Sequence, residues 1–300
     1  MVFQSGLDLT AASLATARAP APGWRLVDRM LAGYGILVAV VALTRVHQPG
    51  MPLVLAAHLA VPWLAWLLAS TPLTPLTRVL RGIYPVLLLT GLYSAIDVFN
   101  RFGAAPTWDR QIQAIDQAIF GMQPSRDWWR AHPSAFWSAT LHAAYLSYYF
   151  IVAIPLIVFV AQRRNEATER YLNGLLATYL VCYIFYLFVP VAGPYYEFAR
   201  PSGAFIANLP AHIVYAALRG GSAFGAAFPS SHVAATVAAV IGTSRASPRF
   251  AMVLAVPTAL LAVGVVYCQM HYATDAAAGL VLGLGIALTV TRKRATEESN

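Results

Sequence analysis

Eight long apolar stretches dominate the chain, near residues 30–46, 51–70, 79–99, 135–161, 170–191, 229–244, 249–268 and 271–290, and most polar residues fall between them. Each approaches the roughly 20 apolar residues that a helix needs to cross a hydrocarbon layer about 30 Å thick. Backbone groups in lipid find hydrogen-bond partners only within their own helix. The pattern therefore predicts an all-α fold, a polytopic transmembrane helical bundle of about eight spans. An even number of spans places both termini on one side. Two longer connections, residues 100–134 and 192–228, lie on the other. The first mixes aromatic and charged residues, Trp108-Asp109-Arg110 through Trp128-Trp129-Arg130, and predicts an interfacial helix at headgroup level. The second is rich in Gly and Pro and runs into a helix start at Pro229. No long-period repeat of the solenoid or inverted-repeat transporter kind is visible.

Composition agrees with a lipid environment. Of the 300 residues, 59% are hydrophobic and 11% charged, and the mean hydropathy is +0.61, outside the range of an ordinary soluble chain. The net charge of +8 comes from basic residues scattered between apolar runs, so nucleic acid is not an expected partner. They gather in the tails and in the short connections around Arg78, Arg163, Arg164, Arg245 and Arg249. Short cytoplasmic loops carry the basic excess, so both termini are expected in the cytoplasm. The first 26 residues lack the apolar core and cleavage site of a secretory signal and read as a cytoplasmic tail. Cys182 and Cys268 fall in apolar stretches and read as packing residues.

Two strings carry chemistry. Phe228-Pro229-Ser230-Ser231-His232 precedes the small apolar run Val233 to Ile241. Proline suits the first turn of a helix and serines cap its free donors. The string predicts a helix N-terminus offering amides, two hydroxyls and an imidazole to a phosphate. The second string is His271-Tyr272-Ala273-Thr274-Asp275, opening the last helix and followed by Gly279 and Gly283. Residues four apart share a helical face, so Asp275 is placed to hold the His271 imidazole in one tautomer. The alternating topology puts both strings on one membrane face. Phosphoryl transfer needs positioning and charge neutralisation more than it needs a metal. No Asp-Gly pair or Asp-x-x-Asp occurs among the 12 acidic residues, so neither a metal nor another cofactor is expected.

These strings resemble the second and third motifs of the type 2 phosphatidic acid phosphatase superfamily, a Pro-Ser-x-His at a helix start and a His-x-x-x-Asp some forty residues later. The resemblance implies that His271 is the nucleophile of a phosphohistidine and that Asp275 orients it. It implies that His232 protonates the leaving oxygen and that Ser230 and Ser231 bind phosphate oxygens. It also implies a six-helix catalytic core over residues 79–291, with two additional transmembrane helices over 27–78 and a second tail over 292–300. Two expected cations are absent: Gly193 stands where the family has Lys before Arg200-Pro201, and Val265 where it has Arg. Residues Ile115-Asp116-Gln117-Ala118-Ile119-Phe120-Gly121, then His142 with Tyr145 and Tyr149, then Phe188 through Pro194, resemble the branch containing inositol phosphorylceramide synthase. There the acceptor is an alcohol. An Arg often found after Gly-Pro in that branch is Tyr195 here, leaving Arg200 and then Arg219 as replacement phosphate-binding residues.

The expectation is thus a metal-independent lipid phosphotransferase of the cell inner membrane, its active site on the extracytoplasmic face and its partner a membrane lipid phosphate. A phosphatase acting on phosphatidate or a polyprenyl phosphate would use the same residues. A non-enzymatic anion or lipid transporter would explain the helices but not the His-Asp spacing. His58 and His142 read as packing groups and His132 and His212 as loop residues. Asp109 and Asp116 read as a solvated interfacial face, with a place at the lipid entrance as the alternative. For Asp97, pairing with an arginine and lining the pocket both stay open.

Overall fold

The computed structural model describes residues 23–102 and 106–290; most of the first predicted tail and all of the second, with Arg292, Lys293 and Arg294, lie outside the described residues. The helices in chain order are α1 (Leu26–Leu43), α2 (Met51–Ser70), α3 (Pro75–Phe102), α4 (Asp109–Phe120), α5 (Pro124–Ala131), α6 (Ala135–Leu146), α7 (Tyr148–Ala161), α8 (Asn165–Phe188), α9 (Pro194–Glu197), α10 (Leu209–Gly221), α11 (Ser231–Ser244), α12 (Pro248–Tyr267) and α13 (Ala273–Val290). The fold is all-α, a polytopic bundle, as the apolar pattern predicts. Among the described residues seven spans are long and apolar enough to cross a membrane: α1, α2, α3, α6 with α7, α8, α12 and α13. The eighth predicted stretch is α11, which has 14 residues, or about 21 Å at 1.5 Å per residue. It packs against α7, α8, α12 and α13, and most of its residues are buried. A helix enclosed by protein rather than lipid need not match the thickness of the bilayer.

Contacts at the helix ends show which connections share a face. At one end the Arg164 guanidinium donates to the Ala246 carbonyl at 3.0 Å, joining the α7–α8 and α11–α12 turns. At the opposite end Asn100, near the C-terminus of α3, donates to the carbonyls of Tyr186 and Phe224. There Tyr267 also donates to the His132 carbonyl at 2.8 Å. The two histidine strings lie at this second end.

Close packing of α11 on α13 depends on small residues. A Cβ on Gly279 would meet the Ser230 carbonyl oxygen at 2.5 Å, and one on Gly283 would overlap the backbone of Ala234. These two glycines, four apart, form the face along which α13 approaches the start of α11.

The first three helices are joined by a buried charge cluster. Asp28 of α1, 1% exposed, accepts from the Arg25 backbone and side chain, from Tyr84 and from Arg81 at 3.1 Å. Arg81 also donates to the Leu68 and Gly23 carbonyls. Removing one partner of such a pair strands the other charge away from water. Asp28→Ala is therefore expected to cost about 3–5 kcal/mol of stability, read as a lowered unfolding temperature in detergent, whereas the active-site geometry, at the far end of the bundle, stays intact.

Candidate active site

The start of α11 is built by its neighbours. Ser230 caps the helix, its hydroxyl accepting from the Val233 amide at 3.4 Å. Tyr186 of α8 donates to the Pro229 carbonyl at 2.9 Å and accepts from the Ser231 amide at 3.2 Å. The Ser230 amide donates to the Asp275 carbonyl at 3.0 Å. The amides of Ser230, Ser231 and Val233 thus already have partners inside the protein, so the expected cradle of free amides is narrower than the sequence suggests. Ser230 is fully buried in its capping role, while Ser231 lines a cavity with His232.

His271 sits in the turn between α12 and α13. The turn closes tightly: the amides of Met270 and His271 both donate to the Val265 carbonyl. Gln269 takes φ +58°, a left-handed conformation that side chains rarely adopt without compensation. Here it is held by Trp129 and Arg130, which donate to its side-chain oxygen, and by the Ala199 carbonyl, to which its amide donates at 3.0 Å. The anchored turn points His271 into the cavity that His232 enters from α11.

The two imidazole rings lie 6.0 Å apart, centroid to centroid, and both line one cavity of about 460 Å³. The His271 Nδ1 is 3.0 Å from the Ala227 carbonyl. A carbonyl only accepts, so Nδ1 carries the proton and Nε2 keeps its lone pair. Burial pushes this imidazole down to about 4, so the ring is neutral and that lone pair available at ordinary pH. The Asp275 carboxylate lies 3.5 Å from Nδ1 and accepts from the Tyr272 amide at 2.9 Å. The sequence placed Asp275 to hold the ring in one tautomer; the shorter contact to Nδ1 belongs to a main-chain carbonyl that no side-chain pattern reveals. Ala227 is fixed by a bridge to the 191–193 segment, its amide donating to the Val191 carbonyl at 2.9 Å.

His232 is held differently. Its Nε2 lies 3.1 Å from the Tyr145 hydroxyl. The Tyr145 ring stacks on it at 4.8 Å and Tyr148 closes the other approach at 4.5 Å. Much of the remaining wall is tyrosine: Tyr93, Tyr179, Tyr183 and Tyr195 line the same cavity. Deeper, Val86, Leu89, Val152 and Leu175 carry it between α3, α7 and α8. A second hollow of about 580 Å³, bordered by apolar residues of α4 and α13, contains neither histidine.

The largest departure from the sequence reading concerns α4. Asp109 and Asp116 are 1% and 0% exposed, not a solvated face. Asp109 accepts from the amides of Ala192 and Gly193, both at 2.8 Å, and from the Tyr272 hydroxyl at 3.0 Å. Asp116 accepts from the amides of Ala273 and Thr274 and from the Thr274 hydroxyl at 2.6 Å. Asp116 therefore caps α13 from another helix, satisfying donors that the helix start leaves open. Spaced seven apart on one face of α4, the two carboxylates tie down the 192–193 segment and the residues that follow His271. Asp116→Ala is expected to cost about 1–2 kcal/mol of stability, as for loss of an N-cap. Displacing His271 by this route lowers the rate of the chemical step more than substrate binding, which a kcat and KM comparison with Asp116→Asn measures.

The arginines do not reach the histidines. Arg200 is exposed, its guanidinium 4.2 Å over the Tyr195 ring, one side chain removed from the cavity. Arg219 is exposed in the last turn of α10. Among the described residues no arginine or lysine lines the histidine cavity. Asp97 resolves toward pairing, bonding Arg101 at 2.8 Å and accepting from the Phe224 amide. His58 and His142 are buried, each with Nδ1 facing a carbonyl one turn back, and both cysteines are buried and free. His212 lies on α10 rather than in a loop. Among the described residues no three His, Cys, Asp or Glu side chains converge as a metal site would require.

Neither the curated proteins nor the solved structures compared with the chain match it. A sequence profile of the PAP2 superfamily does, over residues 110–289, a stretch that starts in the first turn of α4 and holds both histidines, Asp116, Tyr145, Ala227 and Asp275. The chain belongs to the PAP2 superfamily, whose members are phosphatases and phosphotransferases of lipid phosphates.

Proposed function

We propose that the protein is a membrane lipid phosphotransferase of the inositol phosphorylceramide synthase-like kind, moving a phosphoryl headgroup from a lipid to an alcohol through a phosphohistidine. The observation that carries this reading is the pair of imidazoles 6.0 Å apart across one cavity, one with its Nε2 lone pair free by virtue of the Ala227 contact. In the first step the His271 Nε2–P bond forms and the bond from phosphorus to the leaving oxygen breaks, with a proton from His232 going to that oxygen. In the second, an alcohol attacks phosphorus, its proton returns to His232 and the N–P bond breaks. Asp275, beside Nδ1, stabilises the charge that His271 gains on phosphorylation. The scheme routes no step through a metal, and chelation is expected to leave turnover unchanged.

The wall chemistry favours a phosphodiester donor over phosphatidate. A phosphate monoester carries up to two negative charges, which the phosphatases of this family meet with the Lys and Arg that are Gly193 and Val265 here. A diester carries one, which His232, protonated as the anion brings its charge beside the buried ring, can balance with Ser231 and the start of α11. Arg200, behind Tyr195, is the nearer of the two arginines to add to that field, and Arg219 the other. With basic residues gathered at the opposite end, the site is assigned to the extracytoplasmic face of the cell membrane.

The test offers purified protein two donors, phosphatidylinositol with a ceramide or diacylglycerol acceptor, and phosphatidate. Headgroup transfer between lipids is the expected product. Release of inorganic phosphate from phosphatidate, with no transfer, refutes the transferase reading in favour of a phosphatase.

A further inference from the structure

His232 has two ring nitrogens, and only one of them can exchange a proton with anything in the cavity. Its Nδ1 is closed off from solvent and meets no hydrogen-bond partner. Its Nε2 is already engaged by the Tyr145 hydroxyl at 3.1 Å. The ring cannot turn aside to free it, because Tyr145 and Tyr148 pack on the imidazole at 4.8 and 4.5 Å. Tyr145 itself lines the cavity beside His271 and Ser231. The group that meets a ligand in front of Nε2 is therefore the tyrosine hydroxyl.

We propose that Tyr145 is a catalytic residue whose hydroxyl relays the proton between His232 and the reacting oxygen. This rests on the phosphohistidine reading above. As the bond from phosphorus to the leaving oxygen breaks, the Tyr145 proton passes to that oxygen and the Nε2 proton of the His232 imidazolium replaces it on the tyrosine. His232 ends neutral, Tyr145 ends unchanged, and the leaving group departs as an alcohol. In the second step the acceptor alcohol gives its proton to the tyrosine oxygen as the tyrosine proton returns to Nε2. Tyrosine is neutral before and after each transfer, so no phenolate has to be stabilised in the cavity.

Leaving-group dependence separates a relay from a packing role, because an activated leaving group departs without a proton. Tyr145→Phe keeps the ring and removes the hydroxyl. With an alkyl phosphodiester lipid as donor, phosphoenzyme formation in this variant is expected to fall by about 10²-fold or more, the usual contribution of a positioned acid. With a nitrophenyl phosphodiester analogue it is expected to stay within a few-fold of the unaltered protein. Equal losses on both donors reduce Tyr145 to packing, and unchanged or faster reaction of the alkyl donor means that His232 acts directly; either overturns the relay. Should the variant not insert, a proton inventory of the unaltered protein in H₂O/D₂O mixtures decides: curvature from two protons in flight supports the relay, and a linear dependence overturns it. No label on the unaltered protein with the nitrophenyl donor overturns the phosphohistidine reading itself, and Tyr145's part with it.

Discussion

Substitution of His271 by alanine is expected to abolish turnover and covalent labelling together. In the proposed mechanism the imidazole supplies the lone pair that attacks phosphorus, since its Nδ1 faces the Ala227 carbonyl at 3.0 Å and Nε2 is left open. Without it no N–P bond can form, and the expected loss is on the order of 10⁴–10⁶-fold, as for removal of a covalent nucleophile. Folding changes little, because the turn is held by Gln269 and by Asp116 rather than by the imidazole. The measurement is phosphoenzyme formation from a labelled phosphodiester, with an acid-labile, base-stable adduct on the unaltered protein. The same label on the alanine variant places the nucleophile elsewhere.

His232→Ala separates the two half-reactions. Proton donation by a positioned side chain contributes about 10²–10⁴-fold, so turnover of an unactivated lipid donor drops by that amount. An activated nitrophenyl donor needs no proton and still phosphorylates His271. The acceptor alcohol then lacks a base, the second step stalls, and phosphoenzyme accumulates above the level in the unaltered protein. Rapid breakdown of the adduct in this variant, at the unaltered rate, removes His232 from the second step. The acid limb of the first step provides a companion reading. Burial pushes the His271 imidazole down to about 4, so labelling by the activated donor persists on lowering the pH to about 5 and declines only as Nε2 protonates near 4.

The hydrophobic pattern made much of this legible in advance. Lipid forces apolar length and satisfied backbone onto every spanning segment, so the spans announce themselves, and only α11 escapes the length rule because protein surrounds it. Local chemistry was partly readable: Ser230 caps α11 as expected, although Pro229 stands one residue before that cap rather than in the first turn, and His271 precedes α13 at the spacing that brings Asp275 alongside. What stayed hidden depends on contacts between distant parts of the chain. Ala227 contributes a carbonyl, which has no residue signature. Asp109 and Asp116 sit in a stretch that looks like a headgroup-level helix; their burial appears only once the 192–193 segment and the start of α13 fold over it. The arginines mislead for the complementary reason. Charge is visible in sequence, but whether a flexible guanidinium points into a cavity or over an aromatic ring, as Arg200 does over Tyr195, is a matter of packing.

By itself the sequence determined the apolar surroundings, the all-α class and the pair of imidazoles to look for, because partitioning into lipid and helix capping are governed by residues close together in the chain. Tertiary structure alone decided which nitrogen of His271 is left open, that Tyr145 meets the Nε2 of His232, and which charges reach the cavity. Those properties depend on angles and distances between elements up to 163 residues apart, such as Asp109 and Tyr272, and no local rule of composition or spacing encodes them.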